Sequence, residues 1–510
     1  MAARASTDKF RAEQSFLLRS TAAAYKLSEP ERQHPVNDDE QQFPGGAASY
    51  SKALPHDFQG EPIQGTYSKF LAALSEGRFA ELEAIPLGGA AKLSNPLAGN
   101  AYDLEGLDSC QFTIPAPPTC SSAEQAAEMA ELYWQALVRD VPFSRWERDA
   151  AIGAAVADLS TISCPAAPQN PDLRPSACSY PVQSLFRIPG KGVLEGPYVS
   201  QFLLLPMPNG SMQVDQRYLS PMSGQRFGST YSEWLAIQNG TNAAVPTQFE
   251  NSPRYLATPG GLAEYVHRDY TFQAFLCAAL ILINFGPEAF ADTNPYKWSK
   301  TQAGFVTFGP PHVIDFMARA ANAALKASWF QKWLIHRRIR PEEYAARVHN
   351  TLTGRAKFPV HGNLLKSSCL HLLEFANGSY LLPQAYPEGC PTHPSYPAGH
   401  AAIAGACVTM LKAFFSEDFV IPRPVVSDPN GNALVSYRGE LTLGGELNKL
   451  ASNIAMARDW AGVHWSSDSS QGIRLGEAVA IGILRDSLGT IPEAFAGFSF
   501  TSFESPAGRW

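Results

Sequence analysis

Cys390-Pro391-Thr392-His393-Pro394-Ser395-Tyr396-Pro397-Ala398-Gly399-His400 is the stretch on which the reading of this chain turns. Its prolines fix φ and push their predecessors out of the helical region, so the backbone up to Ala398 is extended. A proline-free run of small and apolar residues follows, from Ala401 to Phe415. The chain therefore turns into a helix at Ala398-Gly399-His400. A helix start offers unpaired N–H groups and the positive end of the macrodipole, which together favour an anion. Gly399 lets that anion approach the backbone, and His400 sets a titratable imidazole beside it. By itself the stretch reads equally as a proline-rich loop capping a core helix with an incidental histidine. Two other segments decide between these.

Upstream lies Gln331-Lys332-Trp333-Leu334-Ile335-His336-Arg337-Arg338-Ile339-Arg340-Pro341. On a helix, residues eight apart are about 80° apart around the axis. Pro341 biases Arg340 to an extended conformation, so its guanidinium can swing back towards Lys332 and the two cations converge. The alternative is a basic, solvated helix end, with His336, Arg337 and Arg338 as its other members. Downstream lies Arg458-Asp459-Trp460-Ala461-Gly462-Val463-His464-Trp465-Ser466-Ser467-Asp468. Arg458 and His464 share a face only if the helix ends between them, and Gly462 offers the break. His464 and Asp468 are one helical turn apart, which brings the carboxylate to the imidazole. An imidazole held in this way is fixed in tautomer and made more basic, as suits a ligand or a nucleophile; a core histidine with an aspartate partner would share the spacing. Lys332, Arg340 and Arg458 supply charge, Gly399 a backbone donor, and His400 and His464 acid/base or ligand chemistry. Three cations match a compact oxyanion such as phosphate or vanadate. No zinc-spaced cluster, GxGxxG or Walker sequence accompanies them.

The rest of the chain bounds this reading. Its 510 residues are 45% hydrophobic and 17% charged, with 40 Lys+Arg against 47 Asp+Glu. That describes a globular chain with a large core and no nucleic-acid-binding surface. The longest apolar run, Phe275–Phe285, is too short to span a membrane and reads as a buried helix. Residues 1–25 lack the apolar centre of a secretory signal, so the expected location is cytoplasmic. Cys110, Cys120, Cys164 and Cys178 fall where disulfides could staple loops, whereas Cys277 and Cys407 read as small core residues.

Residues 1–60 are expected to form a polar N-terminal arm with one short helix, available to pack on another subunit, and 61–510 the main domain. Helices are expected over 71–85, 122–138 (capped by Ser122), 148–159, 262–285, 313–338, 365–375, 401–415, 445–458 and 472–488. A short hairpin is expected within 198–260, where Pro208-Asn209-Gly210 and Asn239-Gly240 are turn signals, and a small β excursion over Val425–Leu443 around Asp428-Pro429-Asn430-Gly431. The pattern is mainly α with long Pro/Gly-rich loops.

Taken in order, Lys332-x7-Arg340-Pro341, Pro397-Ala398-Gly399-His400 and Arg458-x5-His464-x3-Asp468 resemble the vanadium-dependent haloperoxidases. That family shares its oxyanion site with the acid phosphatases of the type 2 phosphatidic acid phosphatase superfamily. The lead-in from Pro391 to Pro397 is similar to the algal and cyanobacterial bromoperoxidase branch. So are Leu54-Pro55-His56-Asp57, Thr258-Pro259-Gly260-Gly261-Leu262 and Tyr265-Val266-His267. The resemblance implies a mainly α fold of two four-helix bundles with minor β hairpins, its catalytic half at about 311–510. It implies vanadate as cofactor, with His464 as the single protein ligand to vanadium. Lys332, Arg340, Arg458 and the Gly399 N–H would hold oxygens, and Asp468 would support His464. His400 and Lys332 would act on bound peroxide, and His393 would lie near the halide. The implied activity is oxidation of bromide by hydrogen peroxide to hypobromous acid, which halogenates an organic acceptor, in a homo-oligomer. Ala398 stands where the family usually has a serine, and Ala457 likewise. The rivals are an acid phosphatase with His464 as nucleophile, and a non-catalytic oxyanion-binding protein.

Overall fold

Apolar residues at helical spacing generate most of the ordered backbone in the computed structural model, which describes residues 8–162, 182–503 and 508–509. In chain order the helices are α1 Asp8–Ser28, α2 Asp39–Gln42, α3 Thr66–Glu76, α4 Phe79–Glu83, α5 Ala123–Val138, α6 Ala150–Ile162, α7 Tyr231–Gln238 and α8 Pro259–Tyr265. They continue with α9 Gln273–Asn284, α10 Pro310–Phe330, α11 Pro341–Leu352, α12 Ser368–Asn377, α13 Gly399–Phe414, α14 Leu443–Trp460 and α15 Ser466–Leu488. Strands are confined to short antiparallel pairs. Met207–Asn209 (β1) pairs with Met212–Val214 (β2), Val425–Ser427 (β3) with Leu434–Ser436 (β4), and Ser499–Phe500 (β5) with Gly508–Arg509 (β6).

Helices α10, α13, α14 and α15 form the bundle that carries the site. Nearly every residue of α13 and α14 is buried; α13 is apolar or small almost all round, whereas α14 also buries charged and amide side chains such as Glu446, Lys449 and Arg458. Helix α13 crosses α15 at close range because glycines face backbone there. A Cβ on Gly405 would lie 2.0 Å from the Ile473 carbonyl oxygen, and one on Gly476 would lie 1.9 Å from that of Ala402. A second group packs α5 against α6, α11 and α12. One apolar core runs through both groups.

The differences from the sequence reading have local causes. The segment 71–85 is not one helix: Gly77, at φ 61°, ends α3 before α4 starts. The segment 262–285 is also divided, because the polar run His267-Arg268-Asp269-Tyr270 interrupts the apolar period between α8 and α9. Two of its side chains, His267 and Asp269, meet Glu388 and His400 far along the chain. The N-terminal helix is long rather than short, 21 residues, and none of them is buried. Cys110 and Cys120 are free thiols, while Cys164 and Cys178 lie outside the described residues. Cys407 is buried as expected, and Cys277 only partly.

Candidate active site

Each of the three segments is shaped by its own sequence. After Phe330 the chain winds as a π-helix over Gln331–His336, leaves it through Arg337 in the left-handed region, and becomes extended at Arg340 before Pro341. This brings Lys332 and Arg340 inward, both fully buried. The Lys332 Nζ donates to the carbonyls of Pro394 (2.8 Å) and Ser395 (2.7 Å). Arg340 donates from Nε to the His393 carbonyl (2.8 Å), from Nη1 to the Val463 carbonyl (2.6 Å), and from Nη2 to His393 Nδ1 (2.9 Å). Burial, with each other's charge added, lowers the pKa of Lys332 well below the ordinary lysine value.

Helix α14 ends at Trp460, and Gly462, at φ 82°, reverses the chain. Arg458 and His464 thereby reach the same point from opposite sides of the break. His464 Nδ1 is 2.9 Å from Asp468 Oδ2, and its Nε2 accepts from Arg340 Nη1 at 3.1 Å. Since Nδ1 faces a carboxylate it carries the proton, and Nε2 is the lone-pair nitrogen. Burial first, then Arg340, Lys332 and Arg458, holds the His464 pKa well below the ordinary histidine value. The imidazole is therefore neutral, with its unprotonated nitrogen facing cations. Asp468 is itself fixed by Arg338 Nη1 at 2.7 Å, the Trp465 N–H at 3.1 Å and the Ser395 hydroxyl.

Helix α13 starts where the prolines end. Ala398 is extended and donates its N–H to the Asp468 carbonyl (2.9 Å), which ties the start of α13 to α15. The first N–H groups of α13, from Gly399 onward, have no acceptor within the helix. A Cβ at Gly399 would come within 3.3 Å of the Trp329 ring. His400 is the most accessible member, its side chain 27% exposed, and its Nε2 donates to Asp269 Oδ1 at 2.9 Å. His393 lies against Trp329, ring centroids 4.8 Å apart, and burial with the neighbouring Arg340 and Lys332 pushes its pKa well down.

The structure thus gathers Lys332, Arg340, His393, Ala398, Gly399, His400, Arg458, His464 and Asp468 around one point. One expectation fails: Arg338 is no solvated helix end. It is buried and paired with Glu128 (2.6 Å) and Asp468 (2.7 Å). Sequence reading missed Asp269, Arg338, Glu128 and Ser395 as site-supporting residues. Asp269 and Glu128 are far along the chain from their partners and carry no spacing signal.

The donor set fits a bound oxyanion. Among the described residues no carboxylate lies within ion-pair distance of Lys332, Arg340 or Arg458, although all three are buried and close together. Arg458 gives Nη1 to the Val266 carbonyl (2.8 Å), and its Nε is buried with no partner. Clustered buried cations with an orphan N–H, a helix N-terminus and a neutral imidazole nitrogen make up an anion cradle.

Comparison with known proteins agrees in family and fold. Residues 313–487 match the family profile described as VCPO second helical-bundle domain. The chain is 34% identical over 514 residues to a vanadium-dependent bromoperoxidase of Ascophyllum nodosum, covering 97% of this chain and 91% of that one. It is 35% identical over 543 residues to that of Corallina officinalis, covering 90% of each. The solved homohexameric structure of the second vanadate-dependent bromoperoxidase from Ascophyllum nodosum superposes with a TM-score of 0.92 at 30% identity, over 99% of this chain and 92% of that one.

Proposed function

This chain belongs to the vanadium-dependent bromoperoxidase family, and on that premise we propose that it is a vanadate-dependent bromoperoxidase that uses hydrogen peroxide to oxidise bromide. The observation that carries this is the state of His464, whose Nδ1 is tied to buried Asp468 while its Nε2 keeps its lone pair and faces cations, accepting from Arg340 Nη1 with Lys332 and Arg458 nearby. Those residues would hold the vanadate: His464 Nε2 as the ligand, the three cations and the Gly399 N–H on its oxygens. Bound there, vanadate supplies a Lewis-acid centre that activates hydrogen peroxide for two-electron oxidation of a halide.

The chain's own groups have separable tasks in this reading. Arg338, Ser395 and the Trp465 N–H hold Asp468, which fixes the His464 tautomer. Lys332, fully buried on two carbonyls, keeps positive charge where negative charge gathers. His400 donates from Nε2 to Asp269, which leaves Nδ1 to take and return a proton at the accessible side of the site. His393, neutral beside Trp329, offers a flat polar wall to a halide. Burial of the remaining members excludes water. Hypobromous acid then passes to an organic acceptor outside the cradle.

A homo-oligomer is part of the proposal. Helix α1 exposes Phe16 (64%), Leu17 (53%) and Leu27 (88%), and a cavity of about 970 Å³ lies between it and the end of α15, apart from the site. A second copy of the chain would cover both.

The test is bromination by purified protein with orthovanadate and peroxide, alongside vanadium stoichiometry after gel filtration. The expected result is about one vanadium per chain and vanadate-dependent turnover, both lost in His464→Ala. Equal turnover by wild type and His464→Ala, or steady phosphate release from a simple ester in place of bromination, would end the proposal.

A further inference from the structure

Arg458 is held by two oxygens from segments distant in sequence. One is the Val266 carbonyl, just past the end of α8, at 2.8 Å; the other is the Tyr386 hydroxyl at 3.3 Å, with the guanidinium 5.4 Å from the Tyr386 ring centre. His267 joins these two segments. Its ring stacks on Tyr386 with centroids 3.8 Å apart and an interplanar angle of 7°. Its Nδ1 meets Glu264 on α8 at 3.1 Å, and its Nε2 meets Glu388, two residues beyond Tyr386, at 2.6 Å. Tyr386 in turn donates to the Ala263 carbonyl at 2.6 Å. The same turn delivers Asp269 to His400. One short segment therefore fixes a cation on α14 and an imidazole on α13.

We propose that His267 is a positioning residue that sets the affinity of the oxyanion cradle by clamping together the two segments whose oxygens orient Arg458. Only the imidazolium can donate to both carboxylates at once. Burial opposes that form, but the hydrogen bonds to Glu264 and Glu388 outweigh it and hold the His267 pKa above its ordinary value. With the ring in place, Val266 and Tyr386 present their oxygens on one side of Arg458. Its Nε stays unpartnered and available to the anion. Without the ring, Glu264 and Glu388 repel, the two segments part, and Arg458 samples several rotamers, each of which must be given up on binding.

The inference rests on the reading that Arg458 holds an oxygen of the bound anion, and the experiment separates the two. Vanadate-free full-length protein is titrated with orthovanadate by calorimetry, and the peroxide KM and kcat are measured on loaded samples. His267→Ala is expected to weaken orthovanadate binding about tenfold, the size expected for loosening one charge-assisted hydrogen bond. His267→Phe, which keeps the stack but not the bridges, is expected to match it. Tyr386→Phe, which removes one oxygen from an otherwise intact ring, is expected to shift binding in the same direction. In an Arg458→Ala background, His267→Ala is expected to add nothing, because its effect passes through the guanidinium. Wild-type protein that binds no orthovanadate would overturn the function and the clamp together. Normal binding by His267→Phe, or additive losses in the double variant, would overturn the clamp alone.

Discussion

At residue 398 the cradle lacks a hydroxyl. Ala398 starts α13 with no side-chain cap, where serine is favoured both as a cap and as a donor to an anion. Ala398→Ser is expected to tighten orthovanadate binding about tenfold, the worth of one hydrogen bond to a charged group, and to raise thermal stability slightly; calorimetric titration and thermal melts read the two effects. His56 shows a different residue-scale effect. Burial first, then Arg347, pushes its pKa from 6.5 to about 4. In the unfolded chain it takes up a proton near 6.5, so its contribution is complete above that pH and is lost as pH falls towards 4. At about 1.4 kcal/mol per unit the loss is roughly 3 kcal/mol. His56→Gln is expected to flatten that part of the curve, measured by urea unfolding at pH 7.5 and pH 4.5. His464, its carboxylate Asp468 and the cations Lys332, Arg340 and Arg458 were legible because their spacing brings them together. Asp269 was not, because a pairing across 131 positions leaves no local mark.

At the scale of elements, the crossing of α13 on α15 decides whether His400 and His464 face one point. It depends on Gly476, where a methyl group would strike the Ala402 backbone. Gly476→Ala is expected to cost about 1–3 kcal/mol by overpacking and to weaken orthovanadate binding, because α13 and α15 separate. Gly153→Ala on α6 is the control. A Cβ there meets nothing within 4 Å, so the substitution is expected to stabilise by about 0.5–1 kcal/mol through helix propensity. Denaturation midpoints of the two variants check the contrast. Ser122 as the cap of α5, the turn at Gly462 and the helix start at residue 399 follow from local residue chemistry. The break between α8 and α9 is marked locally by the polar run from His267 to Tyr270, but the use made of it is not, because the partners of His267 and Asp269 are distant.

Across the whole molecule, helix α1 is the least self-sufficient part. A single helix with no buried residue is marginal in water, and α1 is tied down chiefly at its end, by Lys26 on Asp486 at 2.5 Å and by the Lys26 carbonyl on Gln111 at 2.8 Å. Its apolar residues are expected to be covered by a neighbouring subunit. Light scattering is expected to give a multiple of the 55.3 kDa chain mass. Removal of residues 1–28 is expected to lower that mass while leaving orthovanadate binding in place, since among the described residues no hydrogen bond or ion pair joins α1 to a cradle residue. Among the described residues no helix is long and apolar enough to cross a membrane.

The sequence by itself determined the helical class, the helix start at residue 399, and which cations and histidines come together, because short-range spacing and proline geometry act within a few residues. Only the tertiary structure decided that Arg338 serves Asp468 rather than solvent, that Asp269 meets His400, and that the Val266 carbonyl holds Arg458. These pairings join residues separated by 130 or more positions. They exist because the bundle encloses polar groups that must find partners once water is excluded.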